Sequence, residues 1–97
     1  MLYALICTDK PSGLPLRKAN RPEHLAYLQN LGATVLFAGP FTDANGEMNG
    51  SLVVIEAASL EEARRISAGD PFAKAGVFAS VDIRPWLWTI NNPNKKA

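Results

Sequence analysis

The chain has 97 residues, ten basic and nine acidic, and 47% of them are hydrophobic. That is enough for one packed domain and too little for two. A net charge of +1 without a basic stripe argues against a nucleic-acid partner, and a lone Cys with a lone His leaves neither an internal disulfide nor a Cys/His zinc set.

Leu2 to Thr8 is a short apolar run closed by Asp9-Lys10-Pro11, which reads as a buried strand with Cys7 as a small buried hydrophobe. The run lacks the basic flank and the length of a signal peptide, and no stretch approaches a membrane span, so a cytoplasmic protein is expected. After the loop Ser12-Gly13-Leu14-Pro15, Asn20 is a good N-cap, with Pro22 in the first turn and Glu23 at the third position. A first helix is therefore expected from about Arg21 to Leu31, stopped by Gly32. Leu25, Leu28 and Leu31 form one stripe of about 120°, and His24 lies inside it, about 20° from Leu31. The imidazole should point inward at the start of the helix.

Ala33 to Ala38 is a second strand closed by Gly39-Pro40, followed by a polar loop from Thr42 to Gly50 with Asn45-Gly46 and Asn49-Gly50 as turn dipeptides. Ser51 to Ala57 is the third strand. Ser59-Leu60-Glu61-Glu62 is a capping box for a second helix, whose buried side is Leu60, Ala63 and Ile66 and whose stop is Gly69. Pro71 pushes Asp70 out of the helical region, so Asp70 can cap a short turn from Pro71 to Ala75. Val77 to about Trp88 is the fourth strand, and Asn91 to Ala97 reads as a frayed tail.

The order βαββαβ fits a ferredoxin-like α+β fold, an antiparallel sheet with both helices on one face, over a single domain spanning residues 1–97. In that topology the start of the first helix and the end of the second reach the same end of the sheet. His24 and Asp70 should therefore meet, together with Gly39, Pro40 and Ser51. Leu2, Ala4 and Ile6 alternate with Tyr3, Leu5 and Cys7, so both faces of the sheet are apolar. The face without helices needs a cover, most simply a second copy in a homodimer, and Phe78, Trp86 and Trp88 are candidates for that contact.

Arg21-Pro22-Glu23-His24-Leu25, Ala38-Gly39-Pro40, Gly50-Ser51, Ser59-Leu60-Glu61-Glu62-Ala63 and Asp70-Pro71-Phe72-Ala73-Lys74-Ala75-Gly76-Val77 resemble, in order and separation, the YCII-related (YciI-like) family. The resemblance runs from Leu2 to Trp86. It implies a dimeric α+β barrel with a pocket beside a His–Asp pair suspected to be catalytic, which by motif position is His24 and Asp70.

A carboxylate that accepts one ring N–H fixes the imidazole tautomer and leaves the other nitrogen free to move a substrate proton. Proton transfer on a small organic molecule, neutral or anionic, is then the expected chemistry: a lyase, isomerase or dehalogenase type of step, with no metal and no glycine-rich cofactor loop. Ser51, Gly39 and Pro40 would touch the substrate, and Phe72 would pack beneath the site. Arg17, Lys18 and Arg21 lie on the approach and could hold an anion, Arg21 with the best claim because it sits one turn from His24. Solvated surface charge is the usual fate of such residues. The alternative is a non-catalytic ligand-binding or accessory domain in which the pair only secures the helix ends.

Overall fold

A computed structural model describes residues 1–93. Four strands form one antiparallel sheet: β1 (Leu2–Asp9), β2 (Val35–Thr42), β3 (Met48–Glu56) and β4 (Phe78–Trp86), in the order β2-β3-β1-β4. The helices are α1 (Leu14–Asn30), α2 (Leu60–Ala68) and the single turn α3 (Pro71–Lys74), with a 3-10 turn at Gly32–Thr34. This is the ferredoxin-like α+β arrangement expected from the element order.

Side-chain alternation sorts the sheet into two faces. Tyr3, Leu5 and Cys7 pair with Ile55, Val53 and Ser51. Together with Ala57 and Ala63 they form the core under the helices, flanked by Leu28, Leu60, Ile66, Val81 and Ile83. Leu2, Ala4 and Ile6 pair with Glu56, Val54 and Leu52 on the opposite face, which no helix covers. There Phe37 meets Trp86 and Trp88 edge to face, with ring centroids 5.8 and 5.0 Å apart.

Helix α2 begins at the N-cap its sequence marks. Ser59 Oγ accepts from the Glu62 N–H at 3.1 Å, while the Glu62 carboxylate reaches back to the N–H of Ala58. Asp70 follows in extended conformation (φ −63°, ψ 129°) and caps α3 by accepting from the Phe72 N–H at 2.9 Å.

Several expected boundaries are corrected. Helix α1 starts at Leu14, not near Arg21, with Pro15 in its first turn and Pro22 inside it. An interior Pro lacks one helical hydrogen bond and costs about 3 kcal/mol. The helix nonetheless runs through, because Arg17 and His24, seven residues apart on one face, are both buried. His24 therefore sits in the third turn rather than at the helix start, and Leu25 is 39% exposed instead of buried in the stripe.

Gly39 and Pro40 lie within β2, an edge strand where a missing N–H is tolerated. Asn49 and Gly50 belong to β3, which leaves a loop of Asp43 to Glu47 that turns at Gly46 (φ 78°). Gly50 is there for space: a Cβ would stand 2.5 Å from the carbonyl oxygen of Cys7. A register shift at Thr8/Asp9 turns Phe78 toward the helices, where it meets Phe72 edge-on, so it is not part of the uncovered face with Trp86. Of the expected tail, residues 94–97 lie outside the described residues.

Candidate functional site

The helix-covered face ends, beyond Cys7, in side chains that no apolar core would choose. The alternation that sends Tyr3, Leu5 and Cys7 inward sends Asp9 inward as well, at 8% exposure. Arg17, at the end of the first turn of α1, is 2% exposed and grips Asp9 with two hydrogen bonds, Nε to Oδ2 at 2.7 Å and Nη2 to Oδ1 at 2.9 Å. Nη2 also donates to Ser51 Oγ at 2.8 Å. A buried guanidinium is tolerated because its charge is balanced and its Nε and Nη2 donors are used.

Two turns further along α1, His24 Nδ1 lies 2.8 Å from Asp70 Oδ1 and 2.9 Å from Oδ2. An ionised carboxylate can only accept, so Nδ1 is the donor of this bond, and in the neutral ring Nε2 is left as an acceptor. No protein group bonds Nε2 among the described residues, and no sealed side-chain nitrogen lacks a partner, so Nε2 meets solvent. The imidazole stacks on Phe72 at 3.9 Å between centroids and 12° between planes. Asp70 Oδ1 serves the imidazole and the Phe72 N–H together, so one oxygen both orients the ring and caps α3.

Between α1 and the edge strand β2 opens a cavity of about 150 Å³, with Arg17, Arg21, His24, Pro40, Ser51 and Val53 on its walls. Leu25, Leu28, Ala38 and Gly39 complete the lining. A space of this size holds one benzene-sized ring. Asp70 and Phe72 stand behind His24 rather than on the cavity surface. The structure thus gathers all eight residues expected around a site.

The ranking of the arginines is reversed, however. Both were expected on the approach to the pocket, Arg21 with the better claim; Arg17 is the buried one, and Arg21 is exposed at the rim. Asp9 is a residue that reading by motif missed, although its inward parity on β1 was a usable signal.

Tyr27 was missed too. Its hydroxyl donates to the carbonyl of Ile66 at 2.7 Å, and a Cβ on Gly69 would stand 2.5 Å from that oxygen. Gly69 lets α1 fasten onto the end of α2, one residue before Asp70. Burial, then the Asp70 charge, pushes the Tyr27 hydroxyl above its ordinary pKa. Burial likewise raises the Cys7 thiol to about 12, with the Asp70 charge adding to it, Arg17 opposing, and Asp9 adding a little.

The fold and site define a small ferredoxin-like protein with a buried His–Asp pair at the wall of a ring-sized cavity. The YCII-related domain profile matches residues 1–87, and the chain belongs to that family. Protein YciI of Escherichia coli O6:H1 is 38% identical over 94 residues, covering 89% of this chain and 96% of that protein. An uncharacterized protein of Haemophilus influenzae is 35% identical over the same shares.

Among solved structures, the 5-chloro-2-hydroxyhydroquinone dehydrochlorinase TftG of Burkholderia phenoliruptrix AC1100, in complex with 2,5-dihydroxybenzoquinone, superposes with a TM-score of 0.86 at 35% identity. That match covers 95% of this chain and 99% of TftG. A NIPSNAP family protein of Agrobacterium tumefaciens (TM-score 0.56, 18% identical, 97% of both chains) shares the fold alone. Among the described residues no helix is long and apolar enough to cross a membrane.

Proposed function

We propose that the chain is an acid/base enzyme acting on a small hydroxylated ring, with His24 as the proton carrier and Asp70 as its orienting partner. The observation that carries this is the protonated Nδ1 held between both oxygens of Asp70, which leaves Nε2 unpartnered at a ring-sized cavity. Asp70 fixes the tautomer and steadies the imidazolium that forms when Nε2 takes a proton. The likeness to TftG supports an elimination of hydrogen chloride or a related proton-transfer step.

For a chlorinated hydroxyhydroquinone, Nε2 removes a hydroxyl proton and returns it to the chlorine-bearing carbon, giving the keto tautomer. Loss of a second hydroxyl proton then supplies the electron pair that expels chloride. One proton and one chloride leave, the ring becomes a quinone, and no external oxidant is consumed.

The functional unit in this reading is a homodimer, with the uncovered sheet face and its Phe37–Trp86–Trp88 cluster turned to a second copy. Chloride release from 5-chloro-2-hydroxyhydroquinone, compared between wild type and His24→Asn, tests the assignment. The wild type should turn over, and the variant should lose about 10²–10⁴ in rate while keeping its circular dichroism spectrum. A wild type that neither releases chloride nor binds 2,5-dihydroxybenzoquinone overturns the reading. Binding without turnover would instead identify a ligand-binding domain.

A further inference from the structure

Asp70 orients the imidazole, so the groups that hold Asp70 in place belong to the same machinery. Asp70 stands in the link between α2 and α3. On the α3 side that link is held by Phe72, whose ring stacks on His24 and whose N–H bonds Oδ1. On the α2 side the tie to α1 is Tyr27. It follows His24 by three residues on one continuous helix, about 4.5 Å along the axis. Its hydroxyl donates to the carbonyl of Ile66 at 2.7 Å, and among the described residues this is the one hydrogen bond between α1 and α2.

The two ends of that contact are shaped for each other. Ile66 lies in the last turn of α2, whose carbonyls lack the ordinary helical partner. Its oxygen takes the Gly69 N–H at 3.2 Å, and the Tyr27 hydroxyl fills the other lone pair. Gly69 has φ −77° and ψ −13°, a helical conformation that any residue adopts. Glycine serves there for space: an added Cβ would stand 2.5 Å from the Tyr27 oxygen and 3.1 Å from the ring carbon that carries it. The residue that makes room for the hydroxyl is thus the one before Asp70 in the chain. Burial, with the Asp70 charge behind it, raises the pKa of the hydroxyl and so keeps the donor protonated.

We infer that Tyr27 is a positioning residue of the His24–Asp70 pair: its hydroxyl, lodged in the space left by Gly69, fixes the end of α2 against α1 and so keeps both oxygens of Asp70 turned to Nδ1. A carboxylate that swings away would leave the imidazolium unsupported and the ring free to turn. The inference rests on the acid/base reading for its effect on turnover, and on the geometry alone for its effect on the pair.

His24 is the only histidine of the chain, so isotopic labelling of histidine nitrogen in the untagged protein reports one imidazole. Tyr27→Phe should speed solvent exchange of the Nδ1 proton by about tenfold or more. Ser59→Ala is the control, because it removes the N-cap of α2 at a similar cost in stability without touching Tyr27 or Asp70. It should leave the exchange within about twofold of wild type. Gly69→Ala, which drives a Cβ into the hydroxyl, should match Tyr27→Phe, and the double variant should exceed either by less than about threefold, since both changes break one contact. Unchanged exchange in Tyr27→Phe, an equal change in Ser59→Ala, or independent effects of the Tyr27 and Gly69 changes overturn the proposal.

Chloride release separates this inference from the reading it rests on. With an active wild type, Tyr27→Phe should lower kcat by about tenfold and move KM by less than about twofold, because Tyr27 is not on the cavity wall. A wild type without turnover removes the enzyme, and the exchange result still decides on Tyr27. Exchange and kcat both unchanged in Tyr27→Phe remove Tyr27 and leave the His24–Asp70 pair standing.

Discussion

On the helix-covered face of the sheet, Asp9, Arg17, His24, Ser51 and Asp70 are all at most 8% exposed, and each is hydrogen-bonded to another member of the set. On the opposite face the conspicuous side chains are Phe37, Trp86 and Trp88, which touch one another, while Leu2, Ile6 and Leu52 share that face with no helix above. The first region takes charge out of water, which is costly unless partners are exact in number and direction. The second leaves apolar area in water, which is costly only until something covers it. One face is therefore built around a fixed internal geometry, and the other around an external surface.

The contrast breaks most readily at Arg17. Replacing it with Met leaves Asp9 buried without a counterion, and the loss should be about 3–5 kcal/mol in urea unfolding at fixed protein concentration. Adding Asp9→Leu should recover most of that loss, because a matched apolar pair removes the stranded charge. A single variant within about 1 kcal/mol of wild type would mean that water already screens the pair, and the covered face would not be the dry region described above.

The opposite face is probed with Phe37→Asp. Phe37 is already 36% exposed in the single chain, so the fold should be little affected. If a second copy covers the face, a charge at the centre of the contact should weaken dimerisation by about 30-fold or more, read by sedimentation equilibrium. A wild type that is monomeric at micromolar concentration removes the second copy as the cover.

The same contrast explains what the sequence disclosed and what it hid. The meeting of His24 with Asp70 was legible in part: strand order and the caps at Ser59 and Asp70 bring the end of α2 to α1, but the contact was expected at the start of that helix and falls in its third turn. The apolar pattern of both sheet faces was legible because alternation, like a cap, is a local signal. The start of α1 was not, because Asn20 and Glu23 imitate a capping box around Pro22, and the force that overrides them is tertiary. Arg17 and His24 must share one continuous helix face to reach Asp9 and Asp70. The burial of Arg17 was not legible, because its partner sits at the end of a strand eight residues earlier, where no local spacing rule connects the two. Phe78 was misplaced by a single register shift at Thr8/Asp9, which reverses side-chain parity and leaves no mark in the composition.

The smallest effect at neutral pH, and the finest test of how dry the covered face is, lies at Cys7. It stands on that face opposite Ser51, just where the apolar core gives way to the paired polar groups. Burial, reinforced by the Asp70 charge and opposed by Arg17, lifts its thiol from an ordinary 9.0 to about 12. A folded-state value above the unfolded one means that the unfolded chain gives up the proton first. The contribution of Cys7 to stability is therefore full below pH 9.0 and falls as the pH rises from there toward 12. Other alkaline titrations cancel when wild type is compared with Cys7→Ala, so the stability difference between them should shift against wild type across that window and stay flat below it. Thiol labelling in the alkaline window should likewise proceed only as fast as the chain opens. If Cys7 instead labels rapidly in the native state, or the difference stays flat through the window, water reaches the end of the core, and the division between a sealed polar face and an uncovered apolar one does not hold.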